Sequence, residues 1–521
     1  MTHLTVSIFV DQPDAALADA ARAAEFGADL VEYRIDRLAA ADEGEAAVLS
    51  LVERSALPCI ITCRPTWEGG EYAGDEADRH RLLHRLATAT HPPAYLDIEL
   101  LAWQREPNLR DTLGPIVASA NGPGLILSSH DFDQRPRNLL QTLEAMVREP
   151  ACRVVKLAWQ ARSLRDNLEA FEVIAQQYKP TIALCMGEFG QASRILAKKF
   201  AGLLTFAALD EDSATAPGQP TLDQLKQLFR WDHLTPDTEV FGVIGWPVGH
   251  SKSPALHNAG FDATGYNGVY LPMPIPPEYE HFKATVSAWL DHKPLHFRGA
   301  SVTIPHKENL LRFVRERDGE IEPLAEMIGA ANTLTVRDDG SLYASNTDYA
   351  AALDAVCDGL NIQRDQLADR RVGLIGAGGA ARAIAAGFAG HGASVVVYNR
   401  TLERAQAMAD DLQGDITIEP IDHLPAGGCD VYINCTPIGM HPKVDASPLG
   451  DANAIADWGP TTVVFDTIYN PARTRLLAQA ETLGCITVSG IEMFVRQGAA
   501  QFELWTGRPA PREIFLAVMQ N

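Results

Sequence analysis

The chain has 521 residues, more than a single hydrophobic core usually organises, so about two to four domains are expected. Hydrophobic residues make up 46% and charged residues 21%, an ordinary globular composition that argues against disorder. The 67 acidic residues against 44 Lys and Arg give a net charge of -23, which repels phosphate backbones and anionic headgroups, so neither nucleic acid nor a membrane surface is an expected partner.

In chain order, short apolar runs alternate with amphipathic segments. The runs are Leu4–Val10, Leu30–Asp36, Pro58–Arg64, Ala94–Glu99, Leu125–His130, Arg153–Trp159, Thr181–Gly187 and Leu203–Leu209. Helix-like stretches such as Ala15–Phe26 and Leu164–Tyr178 lie between them, so the pattern reads as repeated βα units, and eight such units predict an α/β chain that opens with a TIM barrel. The polar text RWDHLTPDTE at Arg230–Glu239 breaks the periodicity and marks a linker. Strands are expected next at Val240–Gly245, Gly268–Met273 and Ala300–Ile304. A second set follows at Arg371–Gly376, Ser394–Tyr398, Asp430–Asn434, Val463–Thr467 and Thr487–Ser489, a Rossmann pattern. The eight cysteines are scattered without a CxxC pair, which points to a reducing compartment, and no metal site is expected. The first strand begins almost at Met1 and no apolar run reaches membrane-spanning length, so a cytoplasmic location is expected.

Barrel active sites form at the C-terminal ends of the strands, so polar residues there are informative. They include Glu32 and Arg34 in VEYRID, Arg64 and Glu68 in TCRPTWEGG, His130 in SSHD and Lys156 in VVKLA; farther on are Arg194 in QASRI and Thr215 and Gln219 in TAPGQ. Burial and the neighbouring Arg34, Arg64 and Arg194 are expected to lower the pKa of Lys156, and a neutral amine condenses with a ketone to an iminium that acidifies the adjacent carbon. His130, one strand away, then suits a general base. Taken singly, Lys156 also reads as a snorkelling lysine and His130 as a satisfied core histidine.

Taken together and in this order, EYRID, TCRPxxEGG, SSHDF, VVKLA, GxxSRI and APGQ resemble type I 3-dehydroquinate dehydratase. The resemblance implies Lys156 as the Schiff-base residue, His130 as general acid/base and Glu68 as the residue orienting it. It also implies substrate binding by Glu32, Arg34, Arg64, Arg194, Thr215 and Gln219. Thr215 stands where serine is expected and keeps the hydroxyl.

In the second half, the strand RVGLIG runs into GAGGAARA, so that Gly376, Gly378 and Ala381 satisfy G-x-G-x-x-G/A ahead of a helix whose N-terminus favours a pyrophosphate. A structural glycine-rich turn is the plainer alternative. The next strand ends in Asn399, Arg400 and Thr401 with no acidic residue for a ribose hydroxyl, which favours NADP, Arg400 pairing with the 2′-phosphate. GWPVGHSKSPALHN, ASVTIPHKE, GAANTL and SNTD precede this turn, and NCTPIGM, DTIYNP and EMFVRQGAAQF follow it; the series resembles shikimate dehydrogenase.

That resemblance implies Lys307 and Asp348 as the catalytic pair. It places Ser251, Ser253 and Tyr469 at the substrate carboxylate and Thr303, Asn332 and Gln497 at ring hydroxyls. Cofactor contacts are expected from Gly376, Ala377, Gly378, Gly379, Ala380, Asn399, Arg400, Thr401, Arg404, Thr436, Met440 and Gly490. In SNTDYAAA the glycines often found before Asn346 and after Asp348 are absent. The expected domains are a dehydratase barrel at 1–231, a substrate-binding domain at 238–347 with 490–521, and a Rossmann NADP-binding domain at 348–489. The fused order resembles the plant bifunctional enzymes. Two alternatives are a quinate or dual-specificity dehydrogenase in the second half, and a non-catalytic quinate-pathway regulator.

Overall fold

In the computed structural model, residues 2–41, 44–213, 215–216, 218–450 and 455–520 are described. The expected domain ends Met1 and Asn521, and Pro217 of the APGQ motif, lie outside the described residues. By its internal contacts the chain divides into two compact units. The first runs to Val240 and includes Asn267–Ile275 and Ala284–His296; the second comprises Phe241–Tyr266, Pro276–Lys283 and Phe297–Asn521.

The first eight strands are β1 (His3–Phe9), β2 (Leu30–Arg34), β3 (Cys59–Thr62), β4 (Tyr95–Glu99), β5 (Gly124–Asp131), β6 (Cys152–Gln160), β7 (Thr181–Met186) and β8 (Leu204–Ala207). They form one sheet ordered β7-β6-β5-β4-β3-β2-β1-β8, and every paired neighbour is parallel. The sheet nearly closes on itself, because Leu203 N–H donates to the Thr181 carbonyl at 2.9 Å. All eight expected apolar runs are these strands.

Side chains alternate across a strand, and the alternation builds the site. Leu30, Ile60, Ile126, Val154, Ile182 and Leu204 form an apolar layer within the buried core. Two residues onward, in the same parity, stand Glu32, Thr62, Ser128 and Lys156, and beyond them Arg34, Arg64 and His130. The barrel is therefore oily below and ionic above.

The next sheet contains β9 (Glu239–Gly245), β10 (Gly268–Pro274), β11 (Phe297–Val302), β12 (Glu320–Ile321), β13 (Thr333–Val336) and β14 (Leu342–Ser345), in the order β10-β9-β11-β13-β14-β12. Strands β12, β13 and β14 were not expected from the sequence. They are two to four residues long and β13 and β14 pair as an antiparallel ribbon, too short to show a period. The expected strand Ala300–Ile304 instead ends at Val302, and Thr303 begins a turn in which His306 N–H donates back to its carbonyl at 2.8 Å.

The last sheet contains β15 (Arg371–Ile375), β16 (Ser394–Asn399), β17 (Ile416–Pro420), β18 (Val431–Asn434), β19 (Val463–Asp466) and β20 (Ile486–Val488), ordered β17-β16-β15-β18-β19-β20. Its pairs are parallel, and this is the doubly wound Rossmann order with its switch point between β15 and β18. Strand β17 was missed because it is a half-exposed edge strand, ITIEP, without a continuous apolar run. Among the described residues no helix is long and apolar enough to cross a membrane.

Candidate active sites

A cavity of about 360 Å³ opens at the C-terminal ends of the barrel strands, and all nine residues expected there line it: Glu32, Arg34, Arg64, Glu68, His130, Lys156, Arg194, Thr215 and Gln219. Lys156 Nζ donates to Asp97 Oδ2 at 2.7 Å and to Glu32 Oε1 at 3.2 Å, and lies 4.6 Å from the centre of the Phe206 ring. The arginines expected to act on the amine are not the groups that touch it; two carboxylates are. Glu32 is fixed in turn by Ser7 Oγ at 2.7 Å and Thr62 Oγ1 at 2.8 Å. Against the cost of burying it, Lys156 and Arg34 hold its carboxyl below the usual range.

Asp97 was missed, as were Glu99 and Ser128. Arg64 donates to Asp97 at 2.8 Å, to Glu99 at 2.7 Å and to Ser128 Oγ at 2.8 Å, so most of its fork is already engaged. Burial alone would raise the Asp97 carboxyl, but Arg64 and Lys156 outweigh it and hold the group far down. The available signal was LDIEL, in which two acids alternate with apolar residues in a strand of a closed parallel sheet, where one parity must face the interior.

Arg194 differs from the other arginines. It is 3% exposed, its Nε has no hydrogen-bond partner among the described residues, and burial pushes the guanidinium down to about 10. A buried cation lacking a counter-ion is costly, and a carboxylate or other anion entering the cavity would offset that cost. Arg34 pairs with Asp36 at 2.6 Å, and Thr215 Oγ1 donates to Gln219 Oε1 at 3.0 Å.

His130 and Glu68 form a dyad. Glu68 Oε1 accepts the His130 backbone N–H at 3.1 Å and lies 3.1 Å from the ring Nδ1. Burial, then Arg64 and Lys156, hold the imidazole well below its ordinary value, so it is neutral. Burial pushes the Glu68 carboxyl up to about 7. With Nδ1–H donated to ionised Glu68, Nε2 is free to take a proton.

A second cavity of about 480 Å³ is lined by Ser251, Ser253, Thr303, Lys307, Asn332, Asp348, Tyr469 and Gln497, together with Ala380 and Gly490 of the expected cofactor set. Lys307 Nζ donates to Asp348 Oδ2 at 2.6 Å. Lys307 opens the helix Lys307–Glu316, and Asp348 stands in the first turn of Thr347–Leu360, which Asn346 caps by accepting Asp348 N–H at 3.0 Å. Asn332 Oδ1 accepts Thr347 N–H at 2.9 Å. Gln501, also missed, is buried against the cavity, where it accepts from Ser301 Oγ at 2.7 Å and donates to Thr333 Oγ1 at 2.9 Å.

Between β15 and the helix Gly379–Gly390, Gly376 has φ +108°, a conformation that L side chains rarely adopt. A Cβ at Gly378 or Gly379 would meet nothing within 4 Å, so the turn presents bare backbone and the helix N-terminus outward, as a pyrophosphate needs. Asn399, at the end of β16, donates to the Thr401 carbonyl at 2.7 Å, and Arg400, Thr401 and Arg404 are exposed. Thr436 Oγ1 donates to Asn434 Oδ1 at 2.7 Å, and Met440 is exposed. Gly490 meets a packing demand, since a Cβ there would lie 2.4 Å from the Ile468 carbonyl.

Family models match both halves. Residues 4–236 match type I 3-dehydroquinase and 243–334 the shikimate dehydrogenase substrate binding domain; 360–466 match shikimate / quinate 5-dehydrogenase and 490–520 the shikimate 5'-dehydrogenase C-terminal domain. The chain is 39% identical, over 99% of its length and 83% of the relative's, to the chloroplastic bifunctional 3-dehydroquinate dehydratase/shikimate dehydrogenase of Arabidopsis thaliana. It is 38% identical to the shikimate dehydrogenase (NADP(+)) of Methanothermobacter thermautotrophicus, over 54% of this chain and 95% of that one. A solved structure of dehydroquinate dehydratase and shikimate dehydrogenase from S. pombe AroM aligns over 100% of this chain and 98% of its own, with 26% identity and a TM-score of 0.45. With a relative of this identity matched over 99% of this chain and 83% of its own length, and each half matched by its own model, the chain belongs to the family of bifunctional 3-dehydroquinate dehydratase/shikimate dehydrogenases.

Proposed function

We propose that Lys156 carries the dehydration as a Schiff base. The deprotonated amine adds to the ketone of 3-dehydroquinate, and loss of one water leaves an iminium. Neutral His130 removes a proton from the adjacent carbon; the hydroxyl on the next carbon departs as water, taking a proton from His130. Hydrolysis returns the amine and releases 3-dehydroshikimate. Arg194 receives the substrate carboxylate, Glu32, Arg34, Arg64, Thr215 and Gln219 line the remainder, and Glu68 orients His130. The observation that carries this reading is a buried lysine sharing a cavity with a neutral histidine and with Arg194, whose buried Nε has no partner among the described residues.

In the second cavity 3-dehydroshikimate is reduced to shikimate. The turn from Gly376 to Ala380, Asn399, Arg400, Thr401 and Arg404, with Thr436, Met440 and Gly490, would hold NADPH, which would supply the hydride. Lys307 delivers the proton to the developing alkoxide while Asp348 holds the ammonium in place. Ser251, Ser253 and Tyr469 bind the carboxylate, and Thr303, Asn332 and Gln497 the ring hydroxyls. Ser253 and Thr303 both line the cavity, and their side chains leave less room for the extra hydroxyl of quinate than smaller residues would, which favours shikimate. We assign residues 1–231, 238–347 with 490–521, and 348–489 to the three domains. A cytoplasmic location agrees with the eight unpaired cysteines, seven of them buried.

The test is to supply 3-dehydroquinate with NADPH and follow NADPH loss and shikimate formation together. Borohydride added with 3-dehydroquinate is expected to label Lys156; labelling at another residue would overturn the Schiff-base assignment.

A further inference from the structure

Asp348 works only if the first turn of its helix is held where Oδ2 meets Lys307. The residues on either side of Thr347–Asp348 are both tied to one side chain. Glu322 Oε2 accepts the Asn346 backbone N–H at 2.9 Å, and Glu322 Oε1 accepts the Tyr349 hydroxyl at 2.9 Å. Asn346 passes the constraint on through its Oδ1, which accepts Asp348 N–H at 3.0 Å, and is itself anchored by donating Nδ2–H to the Ala330 carbonyl at 3.0 Å. Glu322 is fixed at the start of the helix Pro323–Ile328, its N–H donating to the Ala344 carbonyl at 2.9 Å. Tyr349 also lies against the nucleotide-side helix, where a Cβ on Gly387 would come within 3.2 Å of its ring.

We infer that Glu322 is a positioning residue for the dehydrogenase, bracketing Asp348 through Asn346 and Tyr349 and so setting the Lys307–Asp348 contact. The inference rests on the assignment of that pair to proton transfer. The physical basis is that proton transfer depends steeply on geometry, so a shift of the helix start by a fraction of its width lowers turnover without emptying the cavity.

The experiment uses the full chain and measures both reactions, the dehydratase reporting on folding. Glu322→Ala is expected to lower kcat for shikimate oxidation by about tenfold to a hundredfold, with KM for shikimate and NADP+ within about twofold and the dehydratase unchanged. Tyr349→Phe, which keeps the ring on Gly387 and loses only the hydroxyl, should lower kcat severalfold. Glu322→Gln should restore most of the rate, since an amide still accepts from Asn346 and donates to the phenol oxygen. Full kcat in Glu322→Ala beside an inactive Asp348→Asn would overturn the positioning role and leave the catalytic pair standing. Full activity in Asp348→Asn and Lys307→Ala would overturn the assignment of the pair itself. A Glu322→Gln protein as slow as Glu322→Ala, or a rise in KM with unchanged kcat, would also overturn the inference.

Discussion

The two candidate sites hold their lysines in opposite ways. Lys156 is 6% exposed and locked between carboxylates that are themselves held by Arg64, Ser7 and Thr62, whereas Lys307 is 24% exposed and has the single carboxylate Asp348, 13% exposed, as its ion-pair partner. The difference suits the chemistry proposed for each. A nucleophile must be aimed at one carbon and shielded from water, and a nearly closed barrel of parallel strands supplies an interior lined by side chains from every strand. A proton donor must be recharged each turnover, so partial exposure suits it better. Burial therefore makes the first site an electrostatic network in which removing one member strands the others, while the second is closer to a simple pair.

The largest effect comes from cutting the chemistry on one side of this contrast only. Lys156→Ala should abolish dehydration of 3-dehydroquinate and leave shikimate oxidation at the parent rate; loss of both activities in a folded protein would show that the sites are not independent. Next is the network itself. Asp97→Ala leaves Arg64 and Lys156 facing each other without their shared counter-ion, and a loss of about 3–5 kcal/mol is expected. Denaturant unfolding followed by dehydratase activity measures it, and a loss below about 1 kcal/mol would mean that Asp97 is not the keystone.

A smaller effect belongs to the exposed nucleotide side. Arg400→Ala should weaken NADPH binding by about 1.5–3 kcal/mol, the worth of a charge-assisted hydrogen bond, and hardly change NADH. Equal losses for both nucleotides in titration calorimetry would remove Arg400 from the 2′-phosphate site.

The smallest and most diagnostic test is pH. Above about 7 Glu68 is ionised and accepts Nδ1–H, leaving Nε2 of His130 as base; below it the carboxyl is protonated and donates to Nδ1, which reverses the tautomer. Dehydratase kcat/KM should therefore rise through about pH 7, without a second limb from His130, which is already neutral there. Glu68→Gln should remove that limb, and an unchanged profile would assign the limb elsewhere. In stability the sign is opposite. A carboxyl raised from 4.5 to about 7 binds its proton more tightly in the folded state, so its contribution is full below about 4.5 and is lost as pH rises through about 7.

Much of this architecture was legible in the chain. The eight barrel strands are short, mostly buried and largely apolar runs, and the strand–glycine turn–helix at Arg371–Gly390 announces its own geometry. The strands that were not legible, β12 to β14 and β17, are short or half-exposed, and their existence depends on a neighbour to pair with.

The sites divide in the same way. The sequence by itself singled out the candidate residues, because a lysine in an apolar strand, a histidine at a strand end and a lysine at a helix start with an aspartate in a later SNTD are locally unusual, and the structure gathers them at two cavities. What surrounds them was decided only by tertiary structure. Asp97 reaches Lys156 across 59 residues of sequence because β4 and β6 flank β5 and their inward faces share a level of the barrel. Glu322 reaches Tyr349 because two helix starts converge. A carboxylate can hold a buried charge from any distance along the chain, and only the closing of the sheet and the packing of helices bring the two within a hydrogen bond.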